Sequence, residues 1–501
     1  MKHPLFAALV VAALAAGCAQ RPTPTVAPRP LTPPKSGVKA LKSDLASYYQ
    51  TQAFENAVWG VLVKSLSTGE TLYSLNPGTF LMPASNMKVV TMVAAAERLG
   101  WDFTFTTRVV ATGPVEGGVL KGDLVVVGSG DPSLGGRPTE GPAVVGRWAD
   151  QIRARGITRV EGRIIGLDNV FDDEGLGQGW SWDYLAYGYA TPVSGLDFNE
   201  NVVRLSFAPG AAAGDPVAVT ALPDGSGLTI DAAVRTAAPE GPADVNVARP
   251  PNSPTLEVSG SVPAGKTDVT QTVSVTNPTA FMAGAFRLAL LGRGIDVTGG
   301  AIDADELPSP PDVAGAEALI THTSPPLSEV GKVLLKVSQN LYADTLLKAL
   351  GRPADGGPAT AREGRRVLRE VLQGWGIAPE RYLQADGSGL SRYNYLTADV
   401  LVTILTRMYS DDRHYVPFIT ALPVAGVDGT IAGRMKDTRA QGNARAKTGS
   451  IANARALSGY VTSADGEPLV FSMIVNNFNV PQSEADAIID RAVVRLAEFR
   501  R

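Results

Sequence analysis

The chain of 501 residues is long enough for two or three domains. Hydrophobic residues make up 44% and charged residues 19%, which is typical of a folded soluble protein, and the formal net charge of −4 gives no reason to expect a nucleic-acid partner. Three histidines and one cysteine form no cluster of metal ligands, so we expect no metal, no other cofactor and no disulfide. A Ser-His-Asp triad would have to use His322 or His414, which favours lysine as the base of any serine enzyme.

Residues 1–18 predict a signal peptide. Lys2 and His3 precede an apolar run that is too short to span a membrane comfortably. The run ends in Leu14-Ala15-Ala16-Gly17-Cys18, which resembles a bacterial lipoprotein box except that Ala15 replaces the usual leucine. We therefore predict lipidation of Cys18 and a membrane anchor, with cleavage by the ordinary signal peptidase as the alternative. Both routes export the protein to the periplasm or cell envelope.

A proline-rich tether and a β-hairpin come next. Residues 19–37 include six prolines, which predicts an extended segment that holds a domain away from a membrane. The folded part begins with a helix over residues 38–52. The strands Ala57–Val63 and Thr71–Leu75 then flank a turn, which is a hairpin signal.

The middle of the chain reads as an insertion. From residue 101 the sequence consists mainly of short strand-like runs, with one strand predicted over Arg159–Leu167. Residues 205–278 are rich in Ala, Gly, Pro, Val and Thr, and they predict a β-rich module. We expect residues 101–314 to form inserted domains.

The two ends of the chain are predicted to form one domain. The strands predicted near the C-terminus are residues 444–449, 456–462 and 469–476. Because a lone hairpin is barely stable in water, these three strands should join it in one antiparallel five-stranded sheet flanked by helices. Residues 38–100 and 315–501 would then form one mixed α/β domain of the α+β kind.

Three short motifs occur in the order Ser85-x-x-Lys88, Ser338-Gln339-Asn340 and Lys447-Thr448-Gly449. The first opens a predicted helix, where positions three apart share a face, so the Ser85 hydroxyl and the Lys88 amine can meet. The second interrupts a helical run, and the third lies on a predicted strand. A further Ser-x-x-Lys, at Ser36 and Lys39, has no such setting and is interpreted as linker.

The chemistry of these residue types gives each motif a role. Ser85 is the expected nucleophile, and Lys88 is the base that accepts its proton. Ser338 can relay a proton to a leaving amine. Asn340 can hold Lys88 and a substrate amide. Lys447 is expected to help keep Lys88 neutral and to attract a substrate carboxylate.

The residues around Lys447 have predicted binding roles. Thr448 can hydrogen-bond the carboxylate, and Gly449 lets a substrate backbone lie close to the strand. Two backbone N–H groups, from Ser85 and Ser450, are expected to hold the oxyanion.

With these motifs, the chain resembles the class C low-molecular-mass penicillin-binding proteins, which are D-alanyl-D-alanine carboxypeptidases and endopeptidases of peptidoglycan. The likeness covers most of residues 38–500 and includes a long gap between the first two motifs, filled by nested inserted domains. Five further runs of residues also match the family: 83–88, 128–132, 179–183, 386–391 and 426–430.

The resemblance implies a fold, a substrate and an inhibitor. The fold is the penicillin-binding and β-lactamase-like transpeptidase domain. The substrates are peptidoglycan stem peptides ending in D-Ala-D-Ala and peptide cross-links, and β-lactam antibiotics acylate the serine. Family members commonly have an aspartate, two residues after a tryptophan, that binds a diamino-acid side chain. Here Asp183 follows Trp182 directly and is itself followed by Tyr184, so either Asp183 binds that side chain from a shifted position or this recognition is weakened. Tyr189 matches a tyrosine at the cleft edge.

Two other functions stay open at this point. A β-lactamase would use the same acyl chemistry but needs a fast water route, which no motif identifies. A non-catalytic wall-binding lipoprotein is the second alternative, and the intact motifs argue against it.

Overall fold

Four elements open the folded part of the chain. The computed structural model describes residues 37–136, 141–250 and 253–501, so the predicted signal peptide, nearly all of the predicted tether and Cys18 lie outside the described residues. The first elements are α1 (Val38–Tyr49), β1 (Val58–Ser65), β2 (Thr71–Leu75) and α2 (Met87–Leu99). β1 and β2 pair antiparallel and form the predicted hairpin.

Four more sheets lie between α2 and residue 323. Their elements are, in chain order, β3 (Thr106–Ala111), β4 (Val115–Glu116), β5 (Val119–Leu120), β6 (Leu124–Val127), α3 (Gly141–Ala154), β7 (Arg159–Val160), β8 (Ile164–Leu167), β9 (Val202–Ala208), β10 (Ala218–Leu222), β11 (Thr229–Ala237), β12 (Asp244–Ala248), β13 (Thr255–Pro263), β14 (Thr270–Ser274), α4 (Pro278–Leu291), β15 (Asp296–Val297), β16 (Ala301–Asp303) and β17 (Ala318–Thr323). The strand orders are β16-β8-β6-β3-β17, β15-β7-β5-β4, β10-β9-β14 and β11-β13-β12. β17, which follows residue 314, pairs with β3.

The single strand predicted over Arg159–Leu167 is wrong. The structure has two strands there, because the chain turns at Gly162 and passes from one sheet to another. β7 pairs with β5, whereas β8 pairs with β6. A Cβ on Gly162 would lie 2.4 Å from the carbonyl oxygen of Gly122, so only glycine fits this crossing.

The C-terminal part returns to the first sheet. Its elements are α5 (Leu327–Lys336), α6 (Asn340–Leu350), α7 (Ala361–Gly374), α8 (Ala398–Ser410), α9 (Asp412–Ala421), β18 (Arg445–Ile451), β19 (Ala454–Thr462), β20 (Pro468–Asn476) and α10 (Gln482–Ala497). The sheet has the order β18-β19-β20-β1-β2, with every pair antiparallel. This confirms the predicted five-stranded sheet made from both ends of the chain.

Helices cover both faces of this sheet. α1 and α10 pack on one face through residues such as Leu45 and Val493. α2 and α8 pack on the other through residues such as Val90 and Leu405. Every residue of α2 from Met87 to Ala96 is buried, so even its lysine lies inside the protein. Among the helices of the described residues, none combines the length and apolarity that crossing a bilayer requires.

Candidate active site

Ser85 and Lys88 lie where the chain enters α2. Ser85 is in a short 3₁₀ turn, Ala84–Asn86, that follows Pro83 and leads directly into the helix. The Lys88 Nζ atom lies 2.9 Å from the Ser85 Oγ atom. Because α2 is the central helix of the core, the Lys88 side chain is fully buried, while Ser85 is partly exposed.

The Lys88 amine has two further acceptors. It donates to Asn340 Oδ1 at 2.5 Å and to the carbonyl oxygen of Ser388 at 2.7 Å. Burial lowers the pKa of Lys88 to about 7, although Asp344 and Asp386 act in the opposite direction. Near neutral pH a large fraction of Lys88 is therefore uncharged, which is the form that can accept a proton from a hydroxyl group.

The second motif forms a sharp turn between α5 and α6. Ser338 has a φ of 64°, in the left-handed region. The Gln339 side chain accepts from the N–H of Leu341 and caps α6, and Asn340 is the first residue of that helix. The turn therefore directs Ser338 and Asn340 toward the same cavity, which both residues line.

The third motif lies on the edge strand β18. Lys447 is fully buried, and its Nζ atom donates to Ser338 Oγ at 2.7 Å and to the carbonyl oxygen of Thr448 at 2.9 Å. Burial, and then the charge of Lys88, lowers the pKa of Lys447. The site therefore contains two buried amines, that of Lys447 next to Ser338 and that of Lys88 next to Ser85.

Gly449 is required by the protein itself. A Cβ at this position would lie 2.4 Å from the carbonyl oxygen of Pro83 and 2.9 Å from Asn86 Nδ2. The Asn86 side chain also donates to the carbonyl oxygen of Lys447 at 3.2 Å. The sequence predicts room for a substrate at Gly449, but the described contact is with the turn that carries Ser85. The glycine therefore brings the first and third motifs together.

A cavity of about 380 Å³ joins the three motifs. Its walls are formed by the Ser85 turn, the second motif, β18 and a few loop residues: Ser85, Tyr184, Tyr189, Ser338, Asn340, Gly389, Leu390, Thr430, Thr448, Ser450, Ile451, Ala452 and Gln482. The Thr448 hydroxyl donates to Thr430 Oγ1 at 2.8 Å, and Ser450 Oγ accepts from Arg455 at 2.5 Å. Hydroxyl groups therefore form the β18 side of the cavity above the buried Lys447.

Of the two predicted side-chain-binding residues, Tyr189 lines the cavity and Asp183 lies near Tyr189. Tyr189 lines the cavity and stacks on Tyr187, with ring centroids 5.4 Å apart. Burial, with Tyr184, Tyr187 and Asp183 nearby, raises the pKa of Tyr189 to about 12. Asp183 is exposed, and it accepts a hydrogen bond from Ser181 in the 3₁₀ turn that precedes this rim. The carbonyl oxygen of Tyr189 accepts from Asn340 Nδ2 at 2.7 Å, which ties the rim to the second motif.

Sequence reasoning missed several groups that build this site. The carbonyl oxygen of Ser388, the carboxylate of Asp344 and the hydroxyl of Thr430 were given no role. Ser388 and Thr430 fall within runs that carry the family resemblance, whereas a backbone carbonyl has no residue-type signal. Asp344 has the position of an ordinary helix residue one turn after Asn340, and only the fold shows that it is buried near Lys88.

Comparison with known proteins identifies the family of this chain. A sequence model described as the D-Ala-D-Ala carboxypeptidase 3 (S13) family matches residues 41–499. A D-alanyl-D-alanine carboxypeptidase of Actinomadura sp. (strain R39) is 36% identical over 471 residues, which are 92% of this chain and 85% of the relative. The D-alanyl-D-alanine carboxypeptidase DacB of Haemophilus influenzae is 28% identical, over 85% of this chain and 87% of the relative.

Solved structures extend the likeness to the fold. The crystal structure of penicillin binding protein 4 (dacB) from Haemophilus influenzae has a TM-score of 0.78 at 26% sequence identity, and the match covers 91% of this chain and 99% of that one. The same protein complexed with a β-lactam has a TM-score of 0.72 at 26% identity, covering 91% and 98%. This chain therefore belongs to the D-Ala-D-Ala carboxypeptidase 3 (S13) family of hydrolases, as its resemblance to class C low-molecular-mass penicillin-binding proteins implied.

Proposed function

We propose that Ser85 is the nucleophile of a serine D,D-peptidase that acts on peptidoglycan stem peptides, as a carboxypeptidase on D-Ala-D-Ala ends and as an endopeptidase on cross-links. One observation carries the proposal: a buried lysine amine lies 2.9 Å from the only serine hydroxyl that the chain presents at the start of α2. Membership of the D-Ala-D-Ala carboxypeptidase family supports this substrate class over a β-lactamase or a non-catalytic wall-binding protein.

In the acylation step, Ser85 Oγ attacks the carbonyl carbon of the penultimate D-alanine. The hydroxyl proton passes to neutral Lys88, and the N–H groups of Ser85 and Ser450 bind the oxyanion. The C–N bond then breaks, and the leaving nitrogen gains a proton from Ser338. Because Ser338 Oγ accepts a hydrogen bond from Lys447, that lysine can resupply the proton. The product is an ester on Ser85 and a free amine.

In the deacylation step, water replaces the amine. Acylation leaves the proton of Ser85 on Lys88 and takes one from Lys447, so that proton first returns to Lys447 through solvent. Neutral Lys88 then accepts a proton from the water as the water oxygen attacks the ester carbonyl, and it gives this proton to Ser85 when the C–O bond breaks. The shortened peptide leaves as a carboxylate. The same residues therefore serve both halves of the reaction in opposite order.

The substrate carboxylate is proposed to bind along β18. Thr448, the residue after buried Lys447 on β18, forms a hydroxyl pair with Thr430 at the cavity wall. An incoming carboxylate would favour the charged form of Lys447, whose pKa burial otherwise lowers. At the other end, Asp183 is proposed to attract the amino group of a diamino-acid side chain, and Tyr189 to contact its methylene groups.

The direct test is release of D-alanine from a synthetic stem peptide that ends in D-Ala-D-Ala. We expect release that stops after treatment with one equivalent of benzylpenicillin. A peptide with alanine in place of the diamino acid should show a lower kcat/KM, and equal values would contradict the role of Asp183. Sizing the fragments released from purified cross-linked peptidoglycan measures the endopeptidase activity. Absence of cleavage in both assays would contradict the proposed function.

β-lactams are proposed to acylate the same serine. The complex of the Haemophilus influenzae relative with a β-lactam supports this proposal. We expect slow, stoichiometric labelling with a fluorescent penicillin. Rapid turnover of a chromogenic cephalosporin would instead identify a β-lactamase.

A lipid anchor at Cys18 is proposed from the sequence that precedes it, together with export to the periplasm or cell envelope. Attachment through Cys18 would hold the peptidase near a membrane of the cell envelope. In the native host, Cys18→Ala is expected to move the protein from the membrane fraction to the soluble fraction. An unchanged membrane fraction would contradict the anchor, and Ser36→Ala is the matched control.

A further inference from the structure

We propose that Asp344 is a positioning residue for this peptidase: its carboxylate holds the turn that binds Lys88, and its charge sets the pH at which Lys88 can accept the proton of Ser85. The inference rests on the proposed function, since it concerns the same serine and lysine. Asp344 lies on α6, four residues and about one turn after Asn340. It therefore belongs to the helix that carries the second motif.

Two consecutive residues connect Asp344 to Lys88. The Oδ1 atom of Asp344 accepts from the N–H of Gly387 at 2.6 Å. The carbonyl oxygen of the next residue, Ser388, accepts from Lys88 Nζ at 2.7 Å. From α2, the Thr91 hydroxyl donates to the carbonyl oxygen of Gly387 at 2.7 Å. The acceptor of the lysine is thus held in place from α6 on one side and from α2 on the other.

Two glycines show how closely this turn is packed. A Cβ on Gly387 would lie 2.4 Å from the carbonyl oxygen of Ala343, on α6. A Cβ on Gly389 would lie 1.8 Å from the carbonyl oxygen of Ala84, in the turn that carries Ser85. Residues 387–389 therefore pack closely between α6 and the turn that carries Ser85. A change in how Asp344 binds Gly387 acts directly on the position of the Ser388 carbonyl.

Asp386 is the other carboxylate near Lys88, and its hydrogen bonds differ from those of Asp344. It accepts four, from Trp180 Nε1, the N–H groups of Gly389 and Ser391, and Asn394 Nδ2. Asp344 is only 7% exposed; it accepts from the N–H of Gly387, and the Ser388 side chain also favours its charged form. Asp386 thus shapes the 386–391 loop, whereas Asp344 holds Gly387 and Ser388, and the Ser388 carbonyl binds Lys88.

The charges of Asp344 and Lys88 depend on each other. Burial, and then Asp386, raises the pKa of Asp344 to about 7, while Ser388, Gly387 and the charge of Lys88 act in the opposite direction. The pKa of Lys88 is also about 7. Two interacting buried groups whose pKa values lie in the same range titrate as a coupled pair. A negatively charged Asp344 raises the pKa of Lys88, and neutralising Asp344 therefore lowers the pH at which Lys88 loses its proton.

A second cavity, of about 880 Å³, reaches Asp344 and Asp386. Among the described residues, its lining shares no member with the cavity that contains Ser85. Asp173, Glu174 and Arg362 also line this cavity, together with Lys348, which pairs with Asp172 at 2.5 Å, and Arg365, which donates to the carbonyl oxygen of Ala385 at 3.0 Å. Solvent can therefore adjust the protonation of Asp344 while a substrate fills the other cavity.

The test is the pH dependence of acylation in Asp344→Asn. The asparagine oxygen can still accept from Gly387 N–H, so the turn is kept while the charge is lost. We expect the acid limb of the second-order rate constant for labelling by fluorescent penicillin to move down by about one pH unit. Below that limb the variant would label about tenfold faster than the parent, and above it the two rates would converge.

Matched variants separate charge from structure. Glu174→Gln removes a charge from the same cavity wall and is expected to leave the limb in place, and Asp344→Glu is expected to restore it toward the parent value. Asp344→Ser, whose hydroxyl can also accept from Gly387 N–H, replaces Asp344→Asn if thermal unfolding shows that the latter is not folded. An unmoved limb in a folded neutral variant, or an equal shift in Glu174→Gln, would overturn the proposal. Mass spectrometry of the parent adduct distinguishes this from failure of the proposed function, which an adduct on any residue other than Ser85 would indicate.

Discussion

Ser85→Ala is expected to abolish covalent labelling by a fluorescent penicillin, with an acylation rate below about 10⁻⁴ of the parent rate. The hydroxyl oxygen of Ser85 is the atom that forms the ester, and it lies 2.9 Å from the amine of Lys88 at the wall of the cavity. D-alanine release from a stem peptide should fall by a similar factor. The measurement is stoichiometric labelling followed by denaturing gel electrophoresis.

The sequence supplies a matched control for this change. Ser36 and Lys39 repeat the Ser-x-x-Lys spacing, and Lys39 is exposed on α1. Ser36→Ala should therefore label at the parent rate. A stable adduct that still forms on the Ser85→Ala variant would show that the nucleophile lies elsewhere.

Lys88→Met is expected to reduce acylation by about 10³-fold at pH 8. Methionine has a similar length and suits the buried stem of the Lys88 side chain, but it cannot accept the proton of Ser85 or donate to Asn340. The oxyanion donors and the carboxylate site would persist, so binding should be affected less than the rate of ester formation. Stopped-flow measurement over a range of penicillin concentrations separates the two quantities.

The control for the lysine change is Lys39→Met on α1. It removes one positive charge from the exposed surface and is expected to leave acylation unchanged. Thermal unfolding of both variants checks that each is folded. A rate for folded Lys88→Met within tenfold of the parent rate would rule out Lys88 as the base that activates Ser85.

The sequence was most informative where chemistry and periodicity coincide. Runs of apolar residues near both ends of the chain predicted the three inner strands of the central sheet, β1, β19 and β20, because these strands are buried on both faces. The three motifs could be identified from their order and from the elements that carry them. The structure adds that Lys88 contacts both Ser85 and Asn340, a meeting of the first two motifs that spacing alone could not establish.

Features that depend on close contact between distant segments were not predictable. Gly449 is confined by the Pro83 carbonyl, and Gly162 by Gly122, and neither neighbour can be found from local sequence. The burial of Asp344 follows from the packing of α6 against the 386–391 loop. The roles of Asp183 and Tyr189 stay predictions, since the resemblance supplied them and the geometry shows only that Tyr189 lines the cavity and that Asp183 is exposed beside it.

The pairing of β1 with β20 determines when, during its synthesis, the chain can fold into an active enzyme. Val58 lies opposite Asn476, so β1 can pair with β20 only after the long segment between them has been synthesised. Contacts of such long sequence separation form late and slowly. Ser85 is synthesised long before Lys447 and the strand that carries it. A chain that has not yet reached β20 therefore carries the serine without the hydrolase, and the activity arises only after β18 to β20 have been made.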